Sequence, residues 1–242
     1  MASLDGGYIY DWLGVKTPHK FQSWLNMKEN DSVQILDIPI PDDQVHAETI
    51  EYVGMLTAID RAMRFHQKCF TVFEFGASYA PWAVASGVVA KRNGFQKISL
   101  NAIEASASML DNAKMHAQIN HVSDYFNLTH GAVAVNDGSV FFPKIDVRSD
   151  NGAQISERMV DVDYRGLSVN QEKVKAFSTE SLFADHDRID FLHMDLQGAE
   201  AKLLIDPVFL HVIAAKLSTL FLATQSRLIG AITESGVWRF CK

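Results

Sequence analysis

The chain has 242 residues, of which 48% are hydrophobic, so it can bury a sizeable core and is not disordered as a whole. Its 22 basic and 29 acidic residues give a net charge of −7, and no basic run is longer than Lys91-Arg92. This balance excludes the electrostatic footprint of a nucleic-acid-binding protein and disfavours a polymeric anionic substrate.

Cysteine usage and the first residues indicate a compartment. Cys69 and Cys241 lie in or beside apolar runs without metal-ligand spacing, which predicts free buried thiols, no disulfide and a cytoplasmic location. Residues 1–30 hold no continuous apolar segment, so we expect neither a signal peptide nor a membrane span there. Four further carboxylates are predicted to be scattered loop residues and not a metal site: Asp146, Asp150, Asp161 and Asp163.

The organisation of the chain is predicted from its periodicity. Residues 1–44 are expected to form an irregular N-terminal extension, and residues 45–242 the main domain, with an insertion at about 139–177. The extension is expected to pack its aromatic side chains on the main domain or on a partner subunit. These are Tyr8, Tyr10, Trp12, Phe21 and Trp24.

The main domain shows the alternation of helices and strands that is typical of a mostly parallel sheet. Ser106 and Ser178 are expected to cap helices, and Asp42 or Asp43 to cap the first one. Predicted helices cover 43–66, 82–93, 106–120, 178–184, 199–205, a restart at Pro207, and 226–234; predicted core strands cover 69–75, 97–105, 125–135, 189–196, 219–224 and 237–241.

An antiparallel excursion interrupts this alternation before the fourth core strand. Asp137-Gly138 predicts a hairpin between the third core strand and a strand over 139–145. Residues 146–172 are polar and are expected to form a surface excursion of short strands, with Arg158–Val162 as one candidate.

A candidate ligand site follows the first core strand. The apolar run from Cys69 to Phe75 ends at Gly76 in a turn of small residues, and Pro81 stands where a helix can begin. Such a turn leaves backbone N–H groups at the carboxyl end of a parallel sheet, where open α/β sheets bind ligands. The second strand ends at Glu104, whose carboxylate can accept hydrogen bonds from both hydroxyls of a ribose. An ordinary strand–turn–helix unit without a ligand stays open.

Two kinds of nucleotide ligand compete for this turn. A dinucleotide fingerprint starting at Gly76 requires a small residue at position 81, but Pro81 has no N–H to offer a pyrophosphate. The form E/D-x-G-x-G-x-G of S-adenosylmethionine sites fits Glu74, Gly76, Ser78 and Ala80 with one of its three glycines. This ligand has no phosphate, so its loop requires close backbone approach more than an anion site.

At Asp195-Leu-Gln-Gly-Ala-Glu200, preceded by Ile189-Asp-Phe-Leu-His-Met194, the sequence resembles the FkbM family of S-adenosylmethionine-dependent methyltransferases. The resemblance covers roughly residues 48–240. The sequence departs from the family at Ser78 and Ala80, where glycine is usual. It also has one predicted strand fewer than the usual seven-stranded sheet. Its other motifs follow in the family's order: Glu74 to Trp82, Ile103-Glu104-Ala105, Gly131 to Ala134 before Asp137-Gly138, and Phe177 to Leu182.

The resemblance implies a Rossmann-like class I methyltransferase fold, a three-layer α/β sandwich. It also implies transfer of a methyl group to a hydroxyl, usually on a small molecule or sugar. Asp195 and His193 are the candidate bases, since both alternate with Met194 and can point to one face. The implied cofactor residues are Glu74, Gly76, Ala77, Ser78, Tyr79, Ala80, Glu104, Ala105 and Ala132.

Alternatives stay open for these residues and for the function. Asp195 can instead cap the following helix, with Glu200 near the positive end of its dipole, and His193 can be a packed strand residue. The chain could also be a non-catalytic module that has lost cofactor binding, which Ser78 and Ala80 favour, or a nicotinamide oxidoreductase, which Pro81 disfavours. A homodimer through an uncovered sheet edge is a further expectation.

Overall fold

The structure, a computed structural model, describes residues 2–22, 32–33, 49–144, 152–163, 166–223 and 236–239. In chain order its elements are β1 (Ala2–Asp5), β2 (Tyr8–Tyr10), β3 (Lys16–Pro18), a 3₁₀ turn (His19–Gln22), β4 (Ser32–Val33), α1 (Thr49–Arg64), β5 (Cys69–Phe75), α2 (Pro81–Arg92), β6 (Lys97–Glu104), α3 (Ala107–Ile119), a 3₁₀ turn (Ser123–Tyr125), β7 (Phe126–His130), β8 (Ala132–Val133), β9 (Gly138–Pro143), β10 (Gln171–Phe177), α4 (Thr179–Leu182), β11 (Phe191–Met194), α5 (Glu200–Leu204), α6 (Pro207–Lys216), β12 (Thr219–Leu222) and β13 (Gly236–Arg239).

A six-stranded sheet in the order β13-β12-β11-β5-β6-β7 forms the centre of the fold. The five strands from β12 to β7 pair in parallel, and β13 pairs antiparallel with β12 at one edge. The strand predicted over 237–241 is therefore present, one residue earlier, as this edge strand. The homodimer expected through such an edge stays a prediction.

Side-chain alternation along the strands divides the core into two layers. Phe70 and Val72 of β5 face α1 and α2, whereas Phe73 and Phe75 pack toward the opposite layer, which contains α5 and α6. Because both faces are covered, the central strands β5, β11 and β12 carry apolar side chains on both faces. This arrangement confirms the predicted Rossmann-like, three-layer α/β fold with a mostly parallel sheet.

The described part of the N-terminal segment, residues 2–22 and 32–33, forms strands where the sequence predicted an irregular extension over residues 1–44. Strands β1 to β4 form an antiparallel sheet in the order β3-β2-β1-β4. Gly6 and Gly7 join β1 to β2 with φ of 56° and 76°, the left-handed values that a tight hairpin turn requires. Each strand is only two to four residues long, too short to show a period, but the Gly-Gly pair was a usable signal.

The excursion before the fourth core strand is antiparallel, as expected, but its pairing differs from the prediction. β10 lies between β8 and β9, parallel to the former and antiparallel to the latter, so Asp137-Gly138 does not form a hairpin. Arg158–Val162 is not a strand, and Val162 makes only an isolated bridge to Ser168. The insertion and domain boundaries stay predictions.

Several local predictions can be compared with the structure. Ser178 caps α4 and Asp206 caps α6 through helix N–H groups. Ser106 occupies the N-cap of α3, but its hydroxyl contacts Ser108 at 2.9 Å and no helix N–H. Cys69 is exposed, not buried, because it begins β5 at the rim of the sheet. Four predicted features lie outside the described residues: the Asp42 or Asp43 cap, the helix over 226–234, Trp24 and Cys241.

Candidate functional site

A cavity of about 240 Å³ opens at the carboxyl ends of β5, β6 and β11. The parallel strands end on the same side of the sheet, which brings together residues far apart in the chain. Of the predicted site residues, Ala80 is not among those that line it. Those that do are Glu74, Gly76, Ala77, Ser78, Tyr79, Glu104, Ala105, Ala132, His193 and Asp195.

The loop between β5 and α2 keeps a glycine-like backbone at positions without glycine. Ser78 and Ala80 have φ of 50° and 58°, in the left-handed region that costs about 1–2 kcal/mol for an ordinary residue. Gly76 has φ of 73°, and a Cβ built there would lie 2.0 Å from the backbone oxygen of Asp195. The loop therefore passes against the end of β11, and Gly76 is required for that approach.

Glu74 closes the start of helix α2 from inside the protein. Its carboxylate accepts hydrogen bonds from the backbone N–H groups of Trp82 at 3.2 Å and Ala83 at 2.7 Å. The side chain is 1% exposed, and burial raises the pKa of Glu74 to about 7, against the lowering effects of His193 and of these two N–H groups. Glu74 is thus a helix cap at the edge of the cavity.

Glu104 joins the ends of two strand–helix connections. One carboxylate oxygen accepts from the N–H of Ser78 at 2.6 Å, and the other accepts from the N–H of Ser106 at 2.6 Å. Burial raises the pKa of Glu104, while the hydrogen bonds from the backbone lower it. Each carboxylate oxygen can accept a second hydrogen bond, so the group stays available to a ligand.

His193 is enclosed by aromatic rings and one carboxylate. Its ring stacks on Phe221 at 5.0 Å and on Trp82 at 5.4 Å between centroids, and Nε2 lies 3.2 Å from Glu51 Oε1. The Nδ1 atom is buried and has no hydrogen-bond partner in the part of the chain that the structure describes. Packing of the imidazole therefore accounts for its position, although it lines the cavity.

The motif that follows β11 forms a turn that Glu200 stabilises. The Glu200 carboxylate accepts hydrogen bonds from the N–H groups of Leu196 and Gly198, the latter at 2.7 Å. Asp195 accepts from the Gln197 side chain at 2.8 Å, and α5 begins only at Glu200, so Asp195 does not cap that helix. Burial raises the pKa of Asp195, which lies half-buried on the cavity wall.

Sequence reasoning did not identify two parts of the cavity wall. Glu51 comes from the first turn of α1, before the first core strand. Phe142, Ala153 and Ile155 come from the antiparallel excursion, which was interpreted as a surface feature. An apolar strand such as Gly138–Pro143 inside a polar insertion was the available signal for that wall.

The described ranges of the chain contain neither a metal-binding cluster nor a membrane-spanning helix. Within those ranges no group of three or more histidine, cysteine, aspartate or glutamate side chains is placed to hold a metal ion. Within the same ranges no helix combines the length and apolar character needed to cross a bilayer.

Comparison with known proteins finds similarity to solved structures but to no family model or curated protein. No protein-family model matches the sequence, and no curated protein matches it significantly. A SAM-dependent methyltransferase from Geobacter sulfurreducens in complex with S-adenosyl-L-homocysteine is 13% identical over 73% of this chain and 53% of its own, with a TM-score of 0.35. The METTL16 MTase domain is 10% identical over 83% of this chain and 62% of its own, with a TM-score of 0.41. The chain thus spans less than two thirds of either structure, and at these TM-scores neither carries weight for the function.

Proposed function

We propose that this chain binds S-adenosylmethionine and transfers its methyl group to a hydroxyl of a small-molecule or sugar acceptor. One observation carries the proposal: backbone N–H groups of the loop between β5 and α2, and of the first turn of α2, already donate to protein carboxylates. Glu104 accepts from Ser78, and Glu74 accepts from Trp82 and Ala83. The loop suits a ligand that approaches the backbone closely without needing an anion site.

A phosphate ligand is disfavoured by the same contacts. A pyrophosphate at a helix N-terminus takes free N–H groups and is attracted by the positive end of the helix dipole. Here Pro81 has no N–H, Gly76 and Ala77 donate to Ile103, and the Glu74 carboxylate holds the next two N–H groups of α2. Binding of a nicotinamide dinucleotide would have to displace a buried carboxylate from its hydrogen bonds.

The cavity lining fits a cationic ligand that has hydroxyl groups and a flat aromatic ring. Among the described residues that line the cavity there are four carboxylic acids and no lysine or arginine. Glu104 would hold the ribose hydroxyls, because each of its oxygens can accept a second hydrogen bond. Apolar side chains of Ala105, Met109 and Ala132 line the same cavity and would contact the adenine.

When bound, S-adenosylmethionine supplies an electrophilic methyl group on a sulfonium. The chain contributes alignment of the acceptor and removal of its hydroxyl proton as the new C–O bond forms. Asp195 is the residue that we assign to that proton, since its carboxylate lies on the cavity wall and burial has raised its pKa. His193 is held by Glu51 through Nε2, so we assign it a supporting role beside Asp195.

Cofactor binding to the purified chain tests the proposal. S-adenosylmethionine at one hundred times its Kd stabilises the folded state by about 2.7 kcal/mol, and each kcal/mol raises the Tm of a chain this long by about 2–4 °C. Glu104→Gln removes the charge that the ribose hydroxyls would meet, so affinity is expected to fall by about tenfold or more.

Asp190→Asn is the matched control, because Asp190 is an equally buried carboxylate that accepts a backbone N–H, from Thr71, at the other end of the sheet. Its affinity for the cofactor is expected to equal that of the wild type. A melting shift with a nicotinamide dinucleotide would instead support an oxidoreductase. No shift with either ligand would support a non-catalytic module.

A further inference from the structure

Tyr79 lies between the two left-handed residues of the cavity loop. Ser78 and Ala80 have φ of 50° and 58°, values that a serine or alanine adopts only when its surroundings impose them. Part of that support is backbone hydrogen bonding, since the Ser78 N–H donates to Glu104 and the Ala80 N–H donates to the Ala77 carbonyl oxygen, each at 2.6 Å. Tyr79, between them, adds contacts of its own.

Tyr79 makes contacts of three kinds with the N-terminal segment and with α3. Its hydroxyl accepts a hydrogen bond from Gln22 Nε2 at 3.1 Å. Its carbonyl oxygen accepts one from His116 Nδ1 at 3.1 Å. Its ring packs on Phe21 and on His116, each with 5.4 Å between centroids. With 7% of its surface exposed, Tyr79 is fixed at both its backbone and its ring.

The partners of Tyr79 are themselves held in place by the N-terminal sheet. A carbonyl oxygen can only accept, so His116 Nδ1 carries the hydrogen, and the Thr17 hydroxyl lies 3.1 Å from the other ring nitrogen. Thr17 belongs to β3, and Gln22 ends the 3₁₀ turn that follows it. His116, Gln22 and Thr17 are each no more than 2% exposed.

We propose that Tyr79 is a positioning residue for the cavity loop, anchored by residues 17–22 and His116. These anchors keep Ser78 and Ala80 left-handed and hold the backbone of residues 76–80 against the cavity. The N-terminal segment is therefore part of the ligand site. This inference rests on the proposed function only in naming S-adenosylmethionine as the ligand.

Tyr79→Phe tests the proposal, because it keeps the ring contacts and removes only the hydroxyl that accepts from Gln22. Tyr52→Phe is the matched control: its hydroxyl also bonds the N-terminal segment, at Asp11, but Tyr52 lies on α1 and not in the loop. Two quantities are measured for each variant. They are the amide hydrogen exchange of residues 76–83, which needs no ligand, and the Kd of S-adenosylmethionine.

Tyr79→Phe is expected to accelerate exchange in the loop and to weaken the cofactor by about threefold to tenfold, the effect of one buried hydrogen bond. Tyr52→Phe is expected to change neither quantity. Adding Ser78→Gly to Tyr79→Phe is expected to recover most of the lost affinity, because glycine adopts the left-handed conformation without support.

The outcomes separate this inference from the proposed function. Unchanged loop exchange in Tyr79→Phe overturns the anchoring role, whatever the ligand. Equal acceleration in both tyrosine variants also overturns it, because the effect would then be a general loosening of the N-terminal segment. Faster exchange confined to Tyr79→Phe, in a chain that binds no S-adenosylmethionine, leaves the anchor intact and removes the proposed function.

Discussion

Replacing Gly76 by alanine tests the close approach of the cavity loop to the end of β11. The new Cβ would lie 2.0 Å from the backbone oxygen of Asp195 and 3.1 Å from its carbonyl carbon. No side-chain rotation relieves a clash between two backbone segments. Strand β11 and the loop must therefore separate, and the Asp195 side chain moves with them.

The expected loss of unfolding free energy in Gly76→Ala has two parts, backbone strain and overpacking. Substitution of Gly94, which has the strain alone, separates them. Gly94 follows α2 with φ of 77°, close to the 73° of Gly76, but a Cβ there would meet nothing within 4 Å. Gly94→Ala is thus expected to cost only the left-handed strain, about 1–2 kcal/mol of unfolding free energy. Gly76→Ala adds the cost of overpacking, about 1–3 kcal/mol, for a total of about 2–5 kcal/mol.

Denaturant unfolding of the two variants measures the difference directly. Both should give the wild-type m-value, with Gly76→Ala reaching its midpoint at the lower concentration. S-adenosylmethionine should bind more weakly to Gly76→Ala than to Gly94→Ala, because only the former displaces a cavity wall. Equal unfolding free energies for the two variants would refute the close approach of the loop to Asp195.

Two further predictions concern the carboxylic acids of the cavity. Glu74 has a folded-state pKa of about 7, above its ordinary value of 4.5, so its contribution is greatest at low pH and is lost as pH rises through 7. The stability of the wild type relative to Glu74→Gln should therefore fall by up to about 3 kcal/mol between pH 5 and 8, and a difference that does not vary with pH would contradict the buried, protonated form. Asp195→Asn should fold and bind cofactor but methylate an identified hydroxyl acceptor about 10²- to 10⁴-fold more slowly, and a normal rate would assign Asp195 a structural role.

The excursion illustrates how tertiary pairing departs from local signals. Asp137-Gly138 has the composition of a hairpin turn, and Gly138 has φ of 157°, a value that residues with a side chain rarely adopt, yet the two residues do not join a pair of hairpin strands. Asp137 instead accepts hydrogen bonds from Ser178 and Ser181 at the start of α4. Insertion of β10 between β8 and β9 decides this outcome, and the paired residues are 28 to 44 positions apart in the chain.

The sequence by itself determined the strands that are marked by apolar runs and the helix starts that are marked by proline or a capping residue. Cys69–Phe75 and Lys97–Glu104 were predicted nearly to the residue, because a strand covered on both faces is rich in apolar residues. The start of α2 at Pro81, the restart of a helix at Pro207 and the cap at Ser178 followed from backbone chemistry of single residues. These properties depend on a few neighbouring positions.

Only the tertiary structure decided what the site residues contact. Glu74 and Glu104 were expected to meet a cofactor, yet Glu104 accepts from an N–H group of the loop and Glu74 from two N–H groups of α2. Asp195 accepts from Gln197, and Glu200 stabilises the turn after β11. The pairing of His193 with Glu51 spans 142 positions, which no local pattern encodes. Hydrogen bonds and ring contacts form where elements meet in space, so their partners depend on the packing of the whole sheet and its helices.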